Sequence, residues 1–321
     1  MKNQSPGRVC VAALMKSERP YIVEWVAWNR LLGFEIMIAD NGGDDGQTQL
    51  LRQLEAAGLI VYFDIRHLTE APQFPAYRML LEAALGADVR YLAFLDADEF
   101  FEPVRPPRWP GAAADVLDRL FSETKAAALG FNWMCFGSSH LIANSPEPVL
   151  LRFTHAAAMD FEANHHIKSV LDLRRCRELF SVQELLDVLH PHGIAIDAKY
   201  YSHDGTDLRF LPGLSAVDCV RWDEARIRHY LVKSKDEFQT IKLPKGRSHG
   251  IGFDDGYFSY HDRNDIEAPL DPEASRLLRQ EIAAIERVLR PGVVGRLRRG
   301  AARRLRALSA GFGGKSGAPG A

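Results

Sequence analysis

Residues 91–100 read Tyr-Leu-Ala-Phe-Leu-Asp-Ala-Asp-Glu-Phe: five apolar residues that stop at three acids, Asp96, Asp98 and Glu99. An unbroken apolar run of this length suits a strand buried on both faces, as in a parallel sheet. Where such a strand ends the chain turns, so two carboxylates one residue apart can converge on one hard divalent cation that leaves positions open for phosphate oxygens. The alternative is a solvated loop or a helix N-cap. A hydrophobic strand that delivers three acids together is an odd way to build a plain turn.

Working outward, the same alternation recurs. Val9 to Leu14 is a β-branched, apolar run that breaks at Lys16-Ser17-Glu18 into Pro20, a residue suited to the first turn of a helix. The helix through Glu24, Trp25, Trp28 and Leu32 stops at Gly33, and Phe34 to Ala39 is a second strand running into the loop Asp40-Asn41-Gly42-Gly43-Asp44-Asp45-Gly46. A helix from Thr48 to Ala57, a strand from Leu59 to Ile65 and a helix from Tyr77 to Leu85 follow, before the strand from Tyr91 to Leu95. Strands alternating with helices predict an α/β, doubly wound, mostly parallel sheet flanked by helices, with ligands bound outside the carboxyl ends of the strands. All three acidic loops leave such ends. Past residue 100 the pattern is less regular: a proline-rich link over Pro103 to Pro110, a helix over Ala112 to Glu123, strands over Ala126 to Trp133, Val149 to Phe153 and Ile167 to Leu173, a helical stretch over Glu224 to Lys242, and an amphipathic helix over Pro272 to Leu289.

The 321 residues are 46% hydrophobic, enough for a sizeable core. The early apolar run is too short to span a membrane and lacks a signal-peptide cleavage pattern, and the four cysteines have no paired spacing. A cytoplasmic, reducing location is the expectation. From Arg290 onward the chain carries +8 with no carboxylate, which leaves −10 on the first 289 residues. This basic tail is expected to be partly disordered after Ser309. Its helical part, with Val293, Val294, Leu297, Leu305 and Leu308 set among arginines, either lies on an anionic membrane at the inner face or packs on the acidic body. A nucleic-acid partner is excluded by the acidity of that body.

The blocks KSERPYIVEWVAWNRLLGFE (16–35), DNGGDDGQTQLL (40–51) and FLDADEF (94–100) resemble signature blocks of the group of GT-A-fold glycosyltransferases that includes families 2 and 92. Later segments, FNWMCFGSS, HHIKS, RHYLVKSKDEF and HDRND, resemble blocks of bacterial members more patchily. The resemblance implies a GT-A-like domain with a nucleotide-sugar-binding half over 1–103, an acceptor-binding half over 104–289 and the basic tail over 290–321. It implies transfer of a sugar from a nucleoside diphosphate sugar to an acceptor hydroxyl, with inversion, in surface polysaccharide or glycolipid synthesis. Mn²⁺ or Mg²⁺ is the implied cofactor. Asp96 and Asp98 match the DxD motif: Asp98 would ligate the metal, Asp96 would sit near ribose and metal, and Asp40 would contact base or ribose. Gln73 and Tyr77 would face the pocket.

The remaining positions follow from chemistry and from this resemblance together. Lys16 and Glu18, with Ser17, leave the first strand toward the nucleotide, and Asn41 adjoins Asp40. Asp44 and Asp45 read as turn and N-cap residues. Lys168 and Lys233 can neutralise a departing diphosphate. A late histidine is expected to complete the metal site, His229 ahead of His192. A carboxylate must take the acceptor proton; Asp262 is preferred over Asp254, Asp255, Asp160 and Glu162. Trp133, Phe136 and the turn Gly137-Ser138-Ser139 would form an acceptor loop. A nucleotidyltransferase is the nearest enzymatic rival, although its glycine- and basic-rich phosphate loop is missing after the first strand; a catalytically silent nucleotide- or sugar-binding protein is the rival from another class.

Overall fold

The computed structural model describes residues 8–104, 109–187, 189–190, 193–194, 200–202, 204–211, 216–245 and 252–290. The strands of the main sheet are β1 (Val9–Met15), β2 (Glu35–Asp40), β3 (Val61–Asp64), β4 (Tyr91–Phe94), β5 (Glu99–Pro103), β6 (Ala128–Cys135), β7 (Ile167–Asp172), β8 (Tyr200–Ser202) and β9 (Ala225–His229). Their order is β3-β2-β1-β4-β7-β6-β9-β5, with β8 also paired to β6. The first four strands are mutually parallel. β7 runs antiparallel to β4 and β6, β9 is parallel to β6, and β5 is antiparallel to β9.

Helices α1 (Arg19–Leu31), α2 (Gln47–Ala56) and α4 (Ala112–Thr124) pack with α6 (Pro272–Leu289) into the apolar core on one face. α3 (Gln73–Gly86) lies in a separate core on the other face. The doubly wound, mostly parallel α/β sheet expected from the alternating sequence is therefore present. The chain steps from β1 outward to β2 and β3, then returns through α3 to place β4 on the opposite side of β1. The strand order thus reverses between β1 and β4, and a crevice at their carboxyl ends is where such sheets bind ligands.

Two sequence expectations change. Val149–Arg152 is a short helix rather than a strand, its first backbone N–H groups at Val149 and Leu150 donating to the buried Glu24 carboxylate (2.7 and 2.8 Å). Residues 225–229 are a strand rather than a helix, because Ala-Arg-Ile-Arg-His alternates with period two and both arginines pair with Glu102 of β5. Helix begins in that region only at Lys235. No helix among the described residues is long and apolar enough to cross a membrane. The tail after Arg290, and His192, lie outside the described residues.

Candidate active site

The acidic segment sits between β4 and β5, and its backbone is held from α1. The Trp25 indole N–H donates to the carbonyls of Asp96 and Glu99, both at 3.1 Å, and that of Trp28 donates to Phe101 at 2.8 Å. Both indoles are fully buried, so the helix that precedes β2 fixes the geometry of the loop that follows β4. Glu99 pairs directly with His229 across the β5–β9 ladder, and His229 pairs with Cys135 of β6. Asp96, Asp98, Glu99, His229 and the turn after β6 therefore meet at one end of the sheet.

Charge is arranged there in two adjoining groups. In the first, Lys168 of β7, 1% exposed, bridges Asp96 (2.8 Å) and the fully buried Glu99 (3.0 Å). Tyr77 adds its hydroxyl to Asp96 at 3.3 Å, and Gln73 reaches the same hydroxyl at 3.5 Å. Burial pulls the Lys168 ammonium toward neutrality, but Asp96 and Glu99 outweigh it and hold the pKa well above the usual lysine range. In the second group, Asp98 has His229 Nε2 at 3.5 Å from one oxygen and Lys242 Nζ at 3.2 Å from the other. Burial raises the pKa of Asp98, yet Lys242 and His229 dominate and keep its carboxyl well below the ordinary value.

His229 connects the groups. Its Nδ1 faces Glu99 Oε1 at 3.9 Å, and neither atom has a hydrogen-bond partner among the described residues. Buried polar atoms are rarely left unsatisfied, and a metal-bound imidazole ordinarily presents its second nitrogen to a carboxylate. The residues fit a divalent cation held by Asp98 and His229 with Glu99 behind the ring. A three-residue cluster of His, Cys, Asp or Glu arranged for a metal is absent among the described residues, and Asp96 is turned to Lys168 instead. Two protein donors suffice for Mg²⁺-type ions that keep waters and substrate phosphates as remaining ligands.

Lys233 lies beside this group, 6% exposed, with its ammonium 4.3 Å from the Tyr21 ring centroid and donating to the Tyr230 carbonyl at 3.3 Å. Burial lowers its pKa, with partial compensation from Asp98. Its backbone is left-handed, φ 57°, a conformation that non-glycine residues adopt at a cost and that concentrates at functional sites.

The loops after β1 and β2 clasp each other. Ser17 donates its backbone N–H to the Gly42 carbonyl at 3.1 Å, and a side chain at Gly43 would collide with Ser17. Asp40, expected to contact the nucleotide, is fully buried with each oxygen already taking two donors. These are the Gly42 N–H and Gln47 amide on one, and the Thr48 and Tyr62 hydroxyls on the other. Its role here is to shape loop 41–46. Asn41 likewise donates to the Leu68 carbonyl at 2.9 Å. Asp45 accepts from the backbone of Gln47 and Arg19, in keeping with a turn residue. Lys16 is exposed, and Glu18 is paired with Lys245.

In the half expected to bind an acceptor, Asp262 Oδ1 accepts from the Ser138 N–H at 2.6 Å and from Asn264 at 2.9 Å, which ties it to the turn after β6. Gly137 is required there, because a Cβ would strike the Arg263 carbonyl. Trp133 and Phe136 are buried at 7% and 0% exposure, so they belong to the core rather than to an acceptor loop. Asp254 caps the helix α5 (Asp255–His261) through the Tyr257 N–H, and Glu162 accepts from the Tyr260 hydroxyl. Lys242, Lys245 and the backing role of Glu99 were not foreseen. Only tertiary folding turns Lys242 toward Asp98 and Lys245 toward Glu18.

No family model matches the chain, and no curated protein matches it. Among solved structures it is similar to S. aureus TarS, at 11% identity and a TM-score of 0.34 over 94% of this chain and 69% of a TarS 1-349 structure. Against the longer TarS structure the match covers 62% of this chain and spans 32% of TarS. It is also similar to an active-site mutant of LgtC, at 12% identity and a TM-score of 0.30, over 69% of this chain and 87% of that one. Identities and scores this low do not place the chain in a family.

Proposed function

We propose that the protein is a metal-dependent glycosyltransferase that moves a sugar from a nucleoside diphosphate sugar to an acceptor hydroxyl. The observation that carries this reading is the pairing of Asp98 with His229 at 3.5 Å beside the buried Lys168 and Lys233 and the partly exposed Lys242, at the switch point of a doubly wound sheet. Such a site can take a cation and the diphosphate it bridges. Asp98 and His229 would hold Mn²⁺ or Mg²⁺, and the ion would neutralise charge as the nucleoside diphosphate departs.

The chain's own residues supply the rest. Lys168 keeps Asp96 oriented toward the crevice, and Lys233 places a largely desolvated cation where negative charge grows; preorganised charges of this kind lower the barrier most in a dry site. Asp262, fixed by the Ser138 N–H, is the carboxylate proposed to take the acceptor proton, which makes the reaction inverting. The acceptor proposed is a glycan or glycolipid of surface polysaccharide synthesis, approached with the basic tail on an anionic membrane. Release of free nucleoside diphosphate from a panel of sugar nucleotides, with Mn²⁺ and with chelator, tests the reading. Turnover that needs the ion and is abolished in Asp98→Asn is expected; metal-independent turnover, or full turnover by this variant, would overturn the metal assignment.

A further inference from the structure

The segment after Lys233 is pinned at both ends over the site. At its start, Ser234 and Glu237 form a capping box, and Glu237 is paired with the buried Arg152 at 2.8 Å. At its end, Lys245 pairs with Glu18 beside the β1 loop. Between them the helix passes through a π turn, Phe238–Lys242, a distortion often found where a side chain must be aimed at a site. The side chain it aims is Lys242. Its ammonium stands 3.2 Å from Asp98 and lies 5.3 Å and 5.9 Å from the ring centroids of Phe253 and Tyr257. Lysine and aspartate side chains are about equally shielded, 19% and 20% exposed.

We infer that Lys242 is a diphosphate-binding residue that holds one oxygen of Asp98 until ligand arrives. The inference rests on the proposed nucleotide-sugar site. A divalent cation between the other Asp98 oxygen and His229 would repel this ammonium at close range, since charges interact strongly in a partly dry site. When the ion takes Asp98 and His229, Lys242 is driven off Asp98, and the nearest new anion is the diphosphate that the ion itself brings. Its aromatic support at Phe253 and Tyr257 favours a cation in either position, and an ammonium is a compact point charge well suited to phosphate. Lys242 thus orients the Asp98 carboxylate before ligand binds and becomes a phosphate ligand afterwards.

Calorimetric titration of the full chain tests this with ligands that need no knowledge of base or sugar. In Lys242→Gln, Mn²⁺ without nucleotide should bind on the order of tenfold tighter than in wild type, because its competitor is gone. Inorganic pyrophosphate in saturating Mn²⁺ should bind on the order of tenfold weaker. Lys242→Met, which retains the alkyl contact with Phe253 and Tyr257, should repeat both shifts. Mn²⁺ affinity that is unchanged or weaker, an absence of Mn²⁺ binding in all three proteins, or unchanged pyrophosphate affinity would each overturn the inference. If both shifts appear while no sugar nucleotide is turned over, the proposed activity falls and the role of Lys242 stands.

Discussion

Replacing Lys168 by methionine removes one charge from a place where water cannot substitute for it. The ammonium bridges Asp96 and Glu99 at 2.8 and 3.0 Å and is 1% exposed, so a side chain of similar volume leaves the packing nearly intact. The two carboxylates respond differently. Asp96 is 38% exposed and can be rehydrated, so its loss is worth little. Glu99 is fully buried, and its Oε1 already lacks a hydrogen-bond partner among the described residues. Stranding such a charge costs about 3–5 kcal/mol. For a chain of 321 residues that corresponds to a melting temperature lower by roughly 4–8 °C. The assay is thermal and urea unfolding of wild type, Lys168→Met, Glu99→Gln and the double variant. Because the cost comes from the stranded carboxylate, Glu99→Gln in the Lys168→Met background should restore about 2 kcal/mol, the scale of coupling seen between contacting charged groups. A Lys168→Met protein that melts with the wild type, or a double variant no more stable than Lys168→Met, would refute the reasoning.

Three further outcomes follow from particular contacts. Gly137→Ala forces its Cβ into the Arg263 carbonyl, so it should lower stability by about 1–3 kcal/mol and slow transfer to acceptor more than donor hydrolysis, as Asp262 loses its hold on the Ser138 N–H; equal rates would detach that turn from the acceptor step. Asp40→Ala should cost about 3 kcal/mol or more in urea unfolding, because it strands the donors of Gln47, Thr48 and Tyr62, whereas Asp45→Ala should cost about 1 kcal/mol. Burial pushes the Glu24 carboxyl up to about 7 from 4.5, against two backbone N–H donors that pull it down. The folded protein therefore holds a proton that the unfolded chain releases between these values, and this group removes stability as pH rises from about 4.5 to 7. The melting temperature of Glu24→Gln relative to wild type should accordingly improve from pH 5 to about 7 and change little above that; a constant difference would contradict the shift.

The chain up to β4 is legible because each element there satisfies its local rules unaided. β1, β2 and β4 are buried on both faces, Gly33 at φ 89° ends α1, and the acids fall where the strands stop. Beyond it, the residues that decide structure have partners far away in sequence. The Arg226 and Arg228 side chains make a strand of 225–229 by meeting Glu102, and Glu24 draws the N-terminus of a helix onto Val149, more than a hundred residues distant. The site divides in the same way. Asp98, Asp96, Lys168 and His229 could be named from the type of residue and from resemblance, and they do converge. Lys242 could not, since its position depends on a π turn pinned by Arg152 and Glu18. Asp40 shows the opposite: a carboxylate at a strand end looks available to ligand, and here Gly42 of the next loop, Gln47 and Thr48 of α2 and Tyr62 of β3 already donate to its two oxygens.

The central claim is that Asp98 and His229 hold a cation that binds a nucleoside diphosphate sugar. Its most direct test is the melting temperature of wild type and Asp98→Asn with UDP-, GDP-, CMP- and dTDP-sugars, each with and without Mn²⁺. A donor at about one hundred times its dissociation constant adds roughly 2.7 kcal/mol to stability by mass action. At least one nucleoside diphosphate sugar should raise the melting temperature of the wild type in Mn²⁺, and the rise should disappear with chelator and in Asp98→Asn. A wild type stabilised by none of them, or an Asp98→Asn protein stabilised as much as the wild type, would contradict it.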